Sequence, residues 1–271
     1  MSHTETSAAP PLEMRLADLR AALRGSMIET RYQPIVRISD RAPVALEALA
    51  RLNHPVYGTL APDRFVPQIE DAGLAAELTE RVSACCFADM TGPYLSALNL
   101  QVTVNFPLDV LLMPEALARL EGQRDVAGIP TNKVIVELTE SRPVRDFVAL
   151  RQSLEMLRRM SYRIAIDDVG PAVSNLAELL ELPFTDIKLD KDLVQRVEHD
   201  PKVEPLLAGI VADAHRRGML VVAEGVESVA IWDRMRAIGV DYAQGFLVAR
   251  PLPVAAVPVW MEAWTNANSF T

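Results

Sequence analysis

Short apolar runs alternate with segments of helical period along almost the whole chain, and this alternation limits the fold more than any single motif does. TRYQPIVRI (30–38), APVALEALARL (42–52), LQVTVNF (100–106), KVIVELTE (133–140), RIAIDDV (163–169), TDIKLD (185–190), LVVAEGV (220–226) and DYAQGFLVA (241–249) are eight candidate strands. Between the sixth and seventh, Val203, Leu206, Leu207, Ile210, Val211 and Ala214 recur at the spacing of a helix with one apolar face. Strands joined by helices long enough to cross over predict a parallel sheet, and eight such units predict an α/β fold closed into a (β/α)8 TIM-like barrel. Only SDRAP separates the first two runs. That is too short for a helical crossover, so the barrel is expected to have an antiparallel first strand. The alternative is an open doubly wound sheet, but no glycine-rich phosphate loop follows an early strand to favour it.

With 271 residues and half of them hydrophobic, the chain can bury one large core. Residues 1–12 read as a flexible tail rich in Ser, Thr, Ala and Pro, residues 13–255 as the barrel domain, and residues 256–271 as an extension packing on it. MRLADLRAALRG reads as a short leading helix. No apolar run is long enough to span a bilayer and the N-terminus lacks the order of a signal peptide, so the expected location is cytoplasmic, without membrane contact. A formal charge of −9 argues against a nucleic-acid polymer as partner. The two cysteines, Cys85 and Cys86, are sequence neighbours on a helical segment and read as reduced packing residues.

The informative residues are those that interrupt the apolar runs. Glu47, Leu49 and Arg51 share one face of the second strand by the period-two rule. Asn105 follows VTV, Glu137 follows VIV, Asp167 and Asp168 follow IAI, Lys188 lies inside DIKLD, Glu224 follows VVA and Gln244 precedes a glycine. Each alone is a common strand-end cap or solvated group. Together, at the end of a barrel where the active site is built, they place several carboxylates at one mouth. Such carboxylates raise one another's pKa values unless a positive charge compensates them. The set holds no His or Cys, and oxygen ligands of this kind suit Mg2+, Mn2+ or Ca2+ rather than structural zinc. The neighbouring pair Asp167–Asp168 suits two ions about 3.5 to 4 Å apart, an arrangement used for in-line displacement at phosphorus. Phosphoester hydrolysis is the expected chemistry.

The segments YQPIV, EALARL, NHPVYGTLAPDRFVP, VNF, ELTES, IAIDDVG, DIKLD, AEGVE and QGFLVARPLP occur in this order over residues 13–255. In that order and spacing the chain resembles the EAL-domain family, cyclic-di-GMP phosphodiesterases of bacterial signalling. The resemblance implies hydrolysis of cyclic-di-GMP to linear pGpG with two Mg2+ or Mn2+ ions. It implies that Glu47, Asn105, Glu137 and Asp167 hold one ion, and that Asp167, Asp168 and Glu224 hold the other. It assigns the catalysis to Glu47, Lys188 and Glu224, with Lys188 orienting the attacking water and Glu224 as general base. Arg51 would grip a substrate phosphate, and Gln33, Leu49, Glu227 and Gln244 would complete the pocket. It also implies a homodimer.

One loop departs from the family pattern. Where DDFGTGYSSL is usual, residues 167–176 read DDVGPAVSNL, with changes across residues 169–173. Alanine resists backbone angles that glycine allows, and proline removes an N–H, so this loop is expected to take another shape. Glu140, in ELTES, matches a residue that anchors this loop in the family. Two functional classes therefore stand side by side: a working phosphodiesterase under a separate regulatory partner, and a weak or inactive module that binds cyclic-di-GMP or a protein.

Overall fold

The computed structural model describes residues 14–139, 146–170 and 176–268. The first part of the chain forms α1 (Leu16–Arg24), β1 (Ile28–Arg37), β2 (Pro43–His54), β3 (Gly58–Leu60), α2 (Pro62–Asp71) and α3 (Ala75–Thr91). The middle follows as β4 (Gln101–Pro107), α4 (Leu108–Leu111), α5 (Pro114–Ala127), β5 (Val134–Thr139), α6 (Phe147–Arg159) and β6 (Arg163–Val169). Then come α7 (Leu176–Leu179), β7 (Asp186–Leu189), α8 (Lys191–Arg196), α9 (Val203–Arg216) and β8 (Leu220–Ala223). The chain ends with α10 (Val229–Ala237), β9 (Tyr242–Ala243), β10 (Leu252–Pro253) and α11 (Val257–Asn268).

Among the described residues β2, β4, β5, β6, β7, β8 and β9 pair in that order, all parallel. β1 closes the ring by pairing antiparallel with β2 on one side and β9 on the other. The result is an eight-stranded closed barrel whose first strand runs against the rest, as the short SDRAP link requires. The helices form the outer layer because their apolar stripes face the sheet. In α9 the buried positions are Val203, Leu207, Val211 and Ala214, and in α6 they are Leu150, Leu154 and Leu157. The Asp146 side chain caps α6 by accepting from the Ala149 N–H at 2.9 Å, and Ser228 caps α10 by accepting from Ile231.

Inside the ring the side chains lie in layers. At the bottom, Arg163 pairs with Asp186 and donates to Gln101 Oε1 at 2.6 Å. Above it lies a small apolar layer of Ile35, Ala45, Ile135, Ala165 and Val222. The third layer is polar and forms the floor of the site.

The main departure from the sequence reading is the last strand. Residues 241–249 read as a strand of full length, but only Tyr242–Ala243 pairs. The chain then turns because Gly245 packs directly on the backbone of Val226: a Cβ there would sit 2.2 Å from the Val226 carbonyl oxygen. The short strands β3 and β10 were not legible in the sequence. Residues 1–12 lie outside the described residues. Helix α11 lies against the loop at 248 and the β1–β2 turn, with Trp260 Nε1 donating to Val248 O at 3.2 Å and Trp264 Nε1 to Arg41 O at 2.7 Å. No helix among the described residues is long and apolar enough to cross a membrane.

Candidate active site

Each strand of the ring presents one polar side chain at nearly the same height. Register places Gln33 of β1 opposite Glu47 of β2, and Asn105 of β4 opposite Glu137 of β5. Asp167 of β6, Lys188 of β7, and Glu224 and Gln244, each directly following its strand, complete the circle. Lys188 is the hub, 1% exposed. Its ammonium stands 2.5 Å from Glu137, 2.5 Å from Glu224, 3.2 Å from Asp167 and 3.6 Å from Glu47.

One positive charge thus faces four carboxylates in a nearly water-free space, where Coulomb forces are strong. Burial works against the Lys188 charge, but Asp167, Glu137, Glu224 and Glu47 outweigh it and hold its pKa well above the usual lysine value. The carboxylates divide. Burial and then the other carboxylates, against Lys188, raise Glu137 well above the carboxylate range, and burial with Asp167 and Glu47 brings Glu224 up to about 8. Burial opposes Glu47 too, yet Lys188 and hydrogen bonds from Gln244 and Asn105 hold it below its ordinary value. Asn105 Nδ2 donates to Glu47 Oε1 at 3.3 Å, and Gln244 Nε2 donates to Glu47 Oε2.

The adjacent aspartates depend on a backbone irregularity. In a regular strand Asp167 and Asp168 would point to opposite faces. Here the β6–β7 register slips between Ile166 and Val169, and Asp168 adopts a left-handed backbone with φ of 54°. One oxygen each from Asp167, Asp168 and Glu224 then lies within 4.8 Å of the others. Burial, followed by the Asp167 charge, pushes Asp168 up to about 6.

These residues fit a divalent cation. Asp167 Oδ1 is buried and makes no hydrogen bond, although the ammonium is near, and the negative charge exceeds what Lys188 can balance. The donors are all oxygens, which suits a hard cation. Beside them opens a cavity of about 410 Å3, its floor formed by Glu47, Asn105 and Asp167. Its wall comes from α2 and α3, including Asp63, Val66, Pro67 and Leu78. These wall residues, on helices rather than at strand ends, were not singled out in the sequence.

Not every expected residue joins the cluster. Leu49 lines the cavity. Of Gln33 and Gln244, both expected at the substrate, Gln244 holds Glu47: its Nε2 also donates to Gln33 Oε1 at 3.2 Å, and Gln33 Nε2 donates to Ala249 O. Arg51 Nη1 bonds the carbonyl of Ala50 on its own strand at 2.7 Å. Glu227 is exposed on the segment after β8 and is not one of the three clustered carboxylates. Glu140 and residues 171–173 of the divergent loop lie outside the described residues. His54 orders the β2–β3 turn, its Nδ1 accepting from the N–H groups of Val56 and Tyr57.

The fold and this rim define an α/β barrel with a cation-accepting acidic site where its parallel strands end. Residues 16–251 match the EAL domain family, and the chain belongs to it. It is 31% identical to the cyclic di-GMP phosphodiesterase NbdA of Pseudomonas aeruginosa over 91% of this chain and 32% of NbdA. It is 32% identical to the cyclic di-GMP phosphodiesterase RocR of the same organism over 88% of this chain and 61% of RocR. Among solved structures, the PaMucR phosphodiesterase in complex with c-di-GMP superposes with a TM-score of 0.82 at 30% identity. That likeness covers 89% of this chain and 98% of the PaMucR chain. The chain spans about a third of the length of NbdA.

Proposed function

We propose that this chain is a cyclic-di-GMP phosphodiesterase that opens its substrate to linear pGpG with Mg2+ or Mn2+. The observation that carries the reading is the Lys188 ammonium set among four carboxylates beside the Asp167–Asp168–Glu224 cluster, in a chain whose relatives are named for this activity. Glu47, Asn105, Glu137 and Asp167 would hold one ion, and Asp167, Asp168 and Glu224 a second. Bound there, such ions polarise phosphoryl oxygens and lower the pKa of water.

The chain's own residues supply the rest. Glu224 is tuned towards neutral pH, the range in which a carboxylate takes up and releases a proton. Lys188 bonds Glu137 and Glu224 from the centre and so fixes both carboxylates and its own ammonium towards a water at the rim. The Gln33–Gln244 amide pair and Asn105 orient Glu47. Leu49 and the α2–α3 wall shape the apolar side of the cavity against a flat base. Arg51 takes a phosphate by leaving its contact with Ala50, and Glu227 closes the outer edge.

A cytoplasmic location, a homodimer and a separate regulatory partner belong to the same proposal. Turnover of cyclic-di-GMP by purified protein with each metal, set against Asp167→Ala and repeated across protein concentration, tests it. Linear product lost in the variant supports the reading, and a concentration-dependent specific activity supports the dimer.

A further inference from the structure

The apolar layer beneath the rim has one polar member. Thr103 faces inward on β4 two residues before Asn105, opposite Glu47 in register on one side and Ile135 on the other. The inward residues around it are Ile35, Ala45, Ile135, Ala165 and Val222. Valine has the same shape as threonine and would fill this place without a polar atom. Thr103 is 3% exposed, and its Oγ1 is buried without a hydrogen bond. On the neighbouring strand β5, two residues beyond Ile135, Glu137 is fully buried; its Oε1 accepts from Lys188 and its Oε2 makes no hydrogen bond.

Both side chains line the same small cavity, with about 20 Å3 open to the centre of a water molecule. That volume takes at least one water. The charged groups on the remaining walls are already engaged: Arg163 with Asp186, and Lys188 with the rim carboxylates. In the ionised form that would hold a metal, the Glu137 carboxylate can only accept, while a hydroxyl can do either and a water has two protons to give. A single water in this space would give each of the two unbonded oxygens a partner.

We infer that Thr103 is a positioning residue that holds the Glu137 carboxylate from beneath through one buried water, and so sets the geometry of the metal-binding rim. This rests on the reading of Glu137 as a metal ligand. Groups that orient a ligand in this way typically govern metal affinity tenfold or more when removed.

The test is calorimetric titration of the full chain with Mn2+, comparing the native protein, Thr103→Val and Thr103→Ser. The dissociation constant should rise roughly ten- to a hundredfold in Thr103→Val and stay within about twofold in Thr103→Ser, whose hydroxyl is kept. Unchanged Mn2+ affinity in Thr103→Val, with a higher melting temperature from the loss of an unbonded hydroxyl, overturns the inference. A native protein that binds no Mn2+ removes the metal reading itself, which the native titration alone reveals. Should Thr103→Val fail to fold, a crystal structure of the native protein at high resolution decides: a water bonded to both Thr103 and Glu137 supports the inference, and its absence refutes it.

Discussion

Lys188 is the residue on which the site balances. Replacing it with methionine keeps the volume but leaves Glu137, Glu224, Asp167 and Glu47 facing one another. Removing one partner of a buried ion cluster costs about 3–5 kcal/mol. A Lys188→Met melting curve at pH 7 in a chelator should show this loss, and Mn2+ should recover part of it. The pKa shifts set a pH dependence of the same metal-free protein. Glu224 at about 8 and Asp168 at about 6 hold their protons more tightly folded than their ordinary values of 4.5 and 3.8 allow unfolded. Their contribution is therefore complete below about pH 4 and is lost as pH rises through about 6 and then 8. Glu47, held below 4.5, acts in the opposite sense and loses its contribution only in acid. Melting temperature in chelator should thus fall between pH 5 and 8, and Mn2+ should flatten the profile. A metal-free profile that rises over this range would contradict the assigned environment of Glu224.

The elements show which features a sequence reveals. Glu47, Asn105, Glu137, Asp167 and Lys188 interrupt or end apolar runs in a way that the period-two rule translates into inward side chains, and for that reason their place in the rim was legible. Asp168 is read beside Asp167 in the sequence, but the irregularity in β6 that brings it into the cluster depends on pairing with β7 and leaves no mark in the local sequence. The same holds for the truncated β9, set by Gly245 against the distant Val226, and for Gln244, whose partners Glu47 and Gln33 lie far along the chain. Nothing in the sequence sets Thr103 apart from other strand threonines. The irregularity in β6 has a cost that can be measured. A non-glycine residue in the left-handed region loses about 1 kcal/mol, so Asp168→Gly should be more stable than the native protein in chelator by about that amount. Its Mn2+ affinity should be lower, because one of the three clustered carboxylates is gone. Loss of stability in that variant would mean that the Asp168 side chain supports the turn.

Across the whole molecule the barrel separates stability from chemistry. The outer helices and the sheet face between them hold the large apolar core, whereas the interior of the ring has only a thin apolar layer between two polar ones. Leu154→Ala, far from the rim on the buried face of α6, should lower stability by about 2–5 kcal/mol and leave turnover per folded molecule unchanged. The eight-strand ring and its antiparallel first strand followed from run spacing and one five-residue link, because closure needs little more than strand number and crossover length. Turnover itself depends on ångström-level placement across several strands. The decisive measurement is cyclic-di-GMP hydrolysis by the purified chain in Mg2+ and in Mn2+, read as linear pGpG against Asp167→Ala. The account predicts metal-dependent product that falls by about a hundredfold or more in the variant; tight binding of the intact dinucleotide with no product in either metal would contradict it.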